Sequence, residues 1–427
     1  MHPIDRRSFM STTLGAAAGV TAMTSAGVAQ EATAGAKGLN LKITGLKTFV
    51  VNIGGTNWIF CKVYTNQGLV GLGEGSVVPS KDATVAQAIM EHERYLVGKD
   101  PTNIELLWQG MFRHPRWRGG PILNTAISAV EIALWDILGQ ALDVPIYKIL
   151  GGAARERIRM YVDIEATPDA FLRAKEMGFT AAKTTVINPD HLHIQPNKVI
   201  REGASKLEAI RKAVGDDFDI AMDAHGRMTT PMAIDFCTRI EDLDLLWVEE
   251  PTQLEDLGEL ALLREKTKTH LATGERSFTK WGFADFCSRH LVDYIQPDVC
   301  HAGGILELKK IGVLAETYRL QMAPHNPQSR VSTMASLHVD ATTPASTIQE
   351  CSLTNLGLGD IIPELHQNAW VDDLFDGAKP VIKNGYAELP TRPGLGVTLN
   401  EKVAAQHPYK PVERPYYVFD DGSVADQ

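Results

Sequence analysis

Residues 218–225 read FDIAMDAH, an apolar run that stops on a carboxylate and an imidazole. Five runs of the same form follow: LLWVEEP (245–251), HLATGER (270–276), VDYIQPD (292–298), LQMAPH (320–325) and ASTIQE (345–350). Their polar ends are Asp223 with His225, Glu249, Glu275, Asp298, His325 and Glu350, spaced by 26, 26, 23, 27 and 25 residues. A strand, a turn and a helix together need about that length. A (β/α)8 barrel takes ~30 residues per unit and gathers its active site at the C-terminal strand ends. The spacing therefore predicts an α/β barrel with these groups on one rim.

Working outward, IRMYVDI (158–164) and TAAKTTV (180–186) read as the first two barrel strands. TPDAFLRAKEMGF (167–179) and VIREGASKLEAIRKAVG (199–215) read as their helices. The barrel is expected over 158–384. Upstream, LKITGLKTFVV, WIFCKVYT and LVGLGEG alternate like three antiparallel strands, with turns at Gly54-Gly55 and Asn66-Gln67-Gly68. Gly71-x-Gly73-x-Gly75 lacks the spacing and the βαβ context of a dinucleotide loop, so we read it as turn chemistry. Three helical stretches follow, with Asp82 and Asn103 at N-cap positions. This gives an α+β capping domain over 41–157. Residues 385–427 are expected to return to it.

The first 29 residues have the order of an export signal: charged (Asp5, Arg6, Arg7), then apolar (Leu14 to Val28), then small up to Ala29. The paired arginines resemble the twin-arginine type. We expect a cleavable signal over 1–29, a linker over 30–40, and a periplasmic mature chain with no membrane segment. The chain has 427 residues and a net charge of -10, which argues against a nucleic-acid partner. Its five cysteines are scattered without a CxxC pair and read as small core residues.

Asp223, Glu249 and Glu275 end three successive strands. Two like charges about 4 Å apart repel by ~4 kcal/mol at an effective dielectric of ~20. A hard divalent cation relieves this, and an all-oxygen set favours Mg2+, with Mn2+ as a substitute, over zinc. Strand alternation lets only one of Glu249 and Glu250 face inward, and the equal steps favour Glu249. Asp223 and His225 share a strand face. Asp298 beside His325 makes a base dyad, because a carboxylate fixes an imidazole's tautomer and raises its basicity. His191 and His193 lie in a loop that is either solvated or a second metal site.

These motifs, with RGGPIL and ALWDILGQAL, resemble the enolase superfamily, in its mandelate racemase-like group, and are most similar to galactonate dehydratases. The resemblance runs from Leu41 to the C-terminus. It implies a (β/α)7β modified TIM barrel, a capping domain built from both chain ends, and Mg2+ on Asp223, Glu249 and Glu275. It implies that His325, supported by Asp298, removes the proton α to a carboxylate. It further implies that Glu350 stabilises the enediolate and that His225 protonates the departing β-hydroxyl. The substrate implied is a small anionic sugar acid, the product a 2-keto-3-deoxy sugar acid, and the assembly a homo-oligomer. The family's Lys-x-Lys pair reads Lys183-Thr184-Thr185 here, which leaves His325 as the strong base. GGTNWIF (54–60) and FRHPRWRGG (112–120) are expected to cover the substrate's far end. A cycloisomerase or epimerase using the same enediolate, and a sugar-acid-binding protein without activity, are the competing readings.

Overall fold

In the computed structural model, residues 39–76, 80–187, 195–352, 370–412, 417–419 and 421–424 are described. The expected export signal, nearly all of the linker, and the His191/His193 loop lie outside the described residues.

The chain opens with an antiparallel sheet of β1 (Ile43–Asn52), β2 (Asn57–Thr65) and β3 (Val70–Glu74). Helices α1 (Asp82–Glu91), α2 (Ile104–Arg113) and α3 (Pro121–Leu142) follow. Asp82 is the first residue of α1 rather than its cap, and its carboxylate accepts from Asn57 Nδ2 at 3.2 Å. Asn103 does hold the N-cap position of α2, without a side-chain cap bond. Helix α3 is apolar on every side because it is a core helix: Ala126 to Leu134 are all buried. It lies directly on β3. A Cβ on Gly71 would come within 2.0 Å of Ala133 O, and one on Gly73 within 1.8 Å of Ala129 O. The glycine series is therefore not turn chemistry. Gly71 and Gly73 sit inside a strand, where they let a helix backbone touch it.

Eight parallel strands come next: β4 (Arg157–Asp163), β5 (Ala181–Thr184), β6 (Asp219–Asp223), β7 (Trp247–Glu249), β8 (Leu271–Thr273), β9 (Tyr294–Ile295), β10 (Gln321–Met322) and β11 (Gln349–Glu350). They pair in chain order, and β11 pairs with β4. Met322 bridges Ser346, which closes the ring between β10 and the approach to β11. Among the described residues, seven α-helices lie in the connections: α4 (Pro168–Glu176), α5 (Pro196–Val214), α6 (Thr230–Ile240), α7 (Leu257–Lys266), α8 (Thr279–Ser288), α9 (Ile305–Tyr318) and α10 (Arg330–Thr342). Each strand, or the residue next to its end, gives one side chain to a buried plug: Tyr161, Ala181, Ala221, Trp247, Ala272, Tyr294, Ala323 and Ile348. Large and small residues interdigitate, with Tyr161 edge-on to Trp247 at 5.4 Å and Trp247 against Tyr294 at 4.8 Å. The plug makes the barrel a packed core rather than a pore.

The sheet is mixed, because the hairpin β13 (Ile382–Lys383) and β14 (Tyr386–Glu388) adds antiparallel to the start of β4, at Arg157 to Arg159. Strand β12 (Phe375–Gly377) pairs with β15 (Val397–Leu399), and helix α11 (Glu401–Gln406) follows. This last segment meets the first sheet: Glu401 pairs with Lys62 at 2.7 Å, and Val51 bridges Pro408. All five cysteines are free and buried.

Candidate active site

The plug sets the floor of the site, and the strand period does the rest. Successive side chains alternate faces, so the residue two beyond each plug position points into the mouth. Those residues are Asp163, Lys183, Asp223, Glu249, Gly274, Gln296, His325 and Glu350. Glu275, Asp298 and His225 lie just past the ends of their strands.

Asp223, Glu249 and Glu275 each offer an oxygen, and these oxygens lie within 4.8 Å of one another. Asp223 and Glu249 are buried and Glu275 is half-buried. Lys183 stands among them. Its Nζ is 3.0 Å from Glu249, 2.9 Å from Glu350 and 3.5 Å from Asp223. Burial pushes Asp223 up to about 6 and Glu249 up to about 7, against the opposing pull of Lys183. Glu350 also pays for burial, but Lys183, His325 and the Asn326 N–H (2.8 Å) hold it below the usual carboxylate range. Glu350 is thus an ionised, hydrogen-bonded group. Four carboxylates around one ammonium leave an excess of negative charge. A set of oxygen donors in that state fits a hard divalent cation.

The two imidazoles flank the trio. His325 Nδ1 donates to Asp298 Oδ2 at 2.7 Å, and its Nε2 is 3.4 Å from Glu275. Burial works against charge on this ring, yet Glu275, Asp298 and Glu350 outweigh it and raise His325 to about 10. His225 Nε2 lies 3.3 Å from Asp223, while its buried Nδ1 has no hydrogen-bond partner. Burial lowers His225 to about 4. Its backbone is left-handed, with φ of 52°, and its N–H bonds back to Asp223 Oδ1 at 2.8 Å. That turn carries the ring over the mouth instead of along the strand.

The structure thus brings together Asp223, His225, Glu249, Glu275, Asp298, His325 and Glu350. One expectation needs correction. Asp298 does not end β9; the strand stops at Ile295, Gln296 takes the rim position, and Asp298 reaches His325 from the loop. In the first cap segment, Trp58 is 3% exposed and packs on Phe60 and Phe375. In the second cap segment, Arg116, Trp117 and Arg118 are exposed. Glu250, the neighbour of Glu249, faces away and pairs with Arg276 at 2.7 Å. Lys183, Gln296 and Gln328 were not read as parts of the site from sequence. The period of two from the plug marks the first two; no sequence signal marks the third.

A closed ring of parallel strands carries at its C-terminal mouth a carboxylate trio that could hold a metal ion and, beside it, a His–Asp pair. Residues 168–403 match the enolase C-terminal domain-like family, and 39–151 match the mandelate racemase/muconate lactonizing enzyme N-terminal domain. The chain belongs to the enolase superfamily, in its mandelate racemase-like group. D-galactonate dehydratase of Ralstonia pickettii is 34% identical over 396 residues, covering 90% of this chain and all of that one. Among solved structures, an enolase from Pantoea ananatis with bound D-gluconate and Mg superposes with a TM-score of 0.81 at 28% identity, covering 91% of this chain and 100% of that one. The 3,6-anhydro-D-galactonate cycloisomerase from Zobellia galactanivorans gives 0.76 at 29% identity, covering 86% and 100%. Relatives of this chain are named as dehydratases, which are hydro-lyases.

Proposed function

We propose that the chain is a Mg2+-dependent acid-sugar dehydratase acting on a galactonate-like aldonate. The observation that carries this is the pair of imidazoles on either side of the carboxylate trio, each within 3.4 Å of one of its members. A cation held by Asp223, Glu249 and Glu275 would supply Lewis-acid stabilisation of charge on the substrate carboxylate and cancel the pull of Glu275 on His325. His325, oriented by Asp298, takes the proton α to the carboxylate. Lys183 and Glu350, paired beside the trio, border the place where the enediolate charge develops. The anionic substrate favours the protonated form of His225. That ring then gives its proton to the departing β-hydroxyl, and the enol tautomerises to a 2-keto-3-deoxy sugar acid. The enzyme is exported by the twin-arginine route, works in the periplasm after cleavage near Ala29, and forms a homo-oligomer.

The test is a panel of aldonates and aldarates with Mg2+, read as semicarbazone absorbance. A signal that vanishes with EDTA, and in His225→Asn and His325→Asn, supports the reading; a signal that survives those variants sinks it. The likeness to the Zobellia cycloisomerase favours a second reading, cycloisomerisation or epimerisation through the same enediolate. That reaction consumes substrate without loss of water.

A further inference from the structure

The carboxylate of Asp298 is the hinge of the His325 pair, and both its oxygens are held. Oδ1 accepts the Cys300 N–H at 2.7 Å. Oδ2 accepts from His325 Nδ1 at 2.7 Å and also from Gln328 Nε2 at 2.6 Å. Gln328 is buried, and its own Oε1 accepts the Ser332 hydroxyl at 3.3 Å. Ser332 N–H donates to Glu74 Oε2 at 2.9 Å. Ser329 gives Glu74 both its N–H (3.2 Å) and its hydroxyl (2.5 Å). Glu74 ends β3, so an unbroken run of hydrogen bonds leads from the first sheet, through the first turn of α10, to the imidazole.

Packing alone does not call for these residues. A buried carboxylate is costly unless donors converge on it. Here three of them, beside the Ser76 hydroxyl at 2.7 Å, come from the segment that follows His325. A buried amide at 328 is likewise costly unless both ends are used, and both are. Without its donor, Asp298 Oδ2 would keep only the His325 contact, and the carboxylate would be free to turn about its last torsion.

We propose that Gln328 is a positioning residue for the Asp298–His325 dyad, and that Glu74 holds Gln328 in place through Ser329 and Ser332. The inference rests on the dyad's being the acid–base pair. Gln328 sets the direction of Asp298, and Asp298 sets the tautomer and tilt of His325.

The experiment compares Gln328→Met, which keeps length and removes the donor, with Glu74→Gln, which keeps one acceptor oxygen. The first readout needs no substrate: the downfield proton NMR resonance of the His325 Nδ1–H, assigned by its loss in His325→Asn. It is expected to shift or to broaden by exchange with water in Gln328→Met, and to do so less in Glu74→Gln. The second readout is kinetic. Partners at one remove typically matter by roughly ten- to a hundredfold, and that loss is expected in kcat, with KM held within about twofold. If Gln328→Met does not fold, Ser332→Ala removes the hydroxyl that donates to Gln328 Oε1 and also lies against the Cys300 thiol, leaves the Ser332 N–H on Glu74, and is expected to move the resonance in the same direction. An unchanged resonance and kcat in a folded Gln328→Met protein would overturn the proposal. So would an equal loss in kcat and kcat/KM with the resonance unmoved. If no sugar acid turns over, the dehydratase reading has failed, while the resonance still decides the positioning role.

Discussion

Lys183 is the residue on which the charge balance of the site turns. It is the cation that contacts Asp223, Glu249 and Glu350 together, and it is 2% exposed. Removing one partner of a buried ion pair costs ~3–5 kcal/mol, because the other charge is left unpaired. Lys183→Met is therefore expected to lower the unfolding temperature strongly in EDTA, and Mg2+ to restore part of it. Thermal melts with and without Mg2+ check this; equal melting of variant and wild type in EDTA would contradict it. The histidines make a second prediction. A positioned acid or base contributes ~10²–10⁴ in rate, so His225→Asn and His325→Asn are expected to lose at least about a hundredfold in kcat, the first while melting like the parent and the second with a lower melting temperature, because Asp298 and Glu275 lose their imidazolium. The seven site residues were legible because each interrupts an apolar run at a regular step. Lys183 was read only against a lysine pair, and its place among the carboxylates became visible once Ala181 was known to face the plug.

At the scale of elements, β3 is the most constrained strand. Its glycines face the backbone of α3 with no room for a methyl group. Overpacking typically costs ~1–3 kcal/mol, and Gly73→Ala, meeting a rigid carbonyl, is expected at or above the top of that range. Chemical denaturation measures it; a change below about 1 kcal/mol would mean that α3 gives way easily. The strands of the first sheet and the barrel helices were legible from alternation and from helical period. The ends of the barrel strands were not. β9 and β10 are two residues long, too short for alternation to mark where pairing stops. Hence Asp298 was placed on a strand when it lies in the loop beyond it. Gln328 was hidden for a related reason: it follows the strand by six residues and is brought to Asp298 only by the turn that caps α10.

At the scale of the molecule, buried acids and buried imidazoles tilt stability in opposite directions with pH. Burial raises Glu131 to about 8, and Glu74 and Asp340 to about 7, from ordinary values near 4. The fold then holds protons that the unfolded chain has released, so stability falls as pH rises toward those values. Burial lowers His338 to about 3, and His92 and His301 to about 4, from 6.5. These rings give stability that rises with pH, but only up to about 6.5. Above that, the carboxylates act together with His325, whose ring, raised to about 10, likewise gives stability that is lost as pH rises. The melting temperature is expected to be lower at pH 8 than at pH 6.5, as calorimetry at the two values would show. A flat or rising profile would mean that the donors around Glu74 and Glu131 keep them ionised in the fold. Across the whole chain, the order of the barrel was readable from one repeated spacing. The return of residues 385–427 to the capping domain was expected, but the pairing of β14 with β4 was not, since short strands such as β13 and β14 carry little pattern of their own.

The most direct measurement follows the reaction in D2O by proton NMR, with D-galactonate and related aldonates, Mg2+ and the mature chain. If His325 abstracts the α-proton and water leaves, a 2-keto-3-deoxy product accumulates whose C3 methylene carries one solvent deuterium, and EDTA abolishes it. Consumption of substrate to an isomer that retains all its oxygens, or formation of the same product by His325→Asn, would contradict the account.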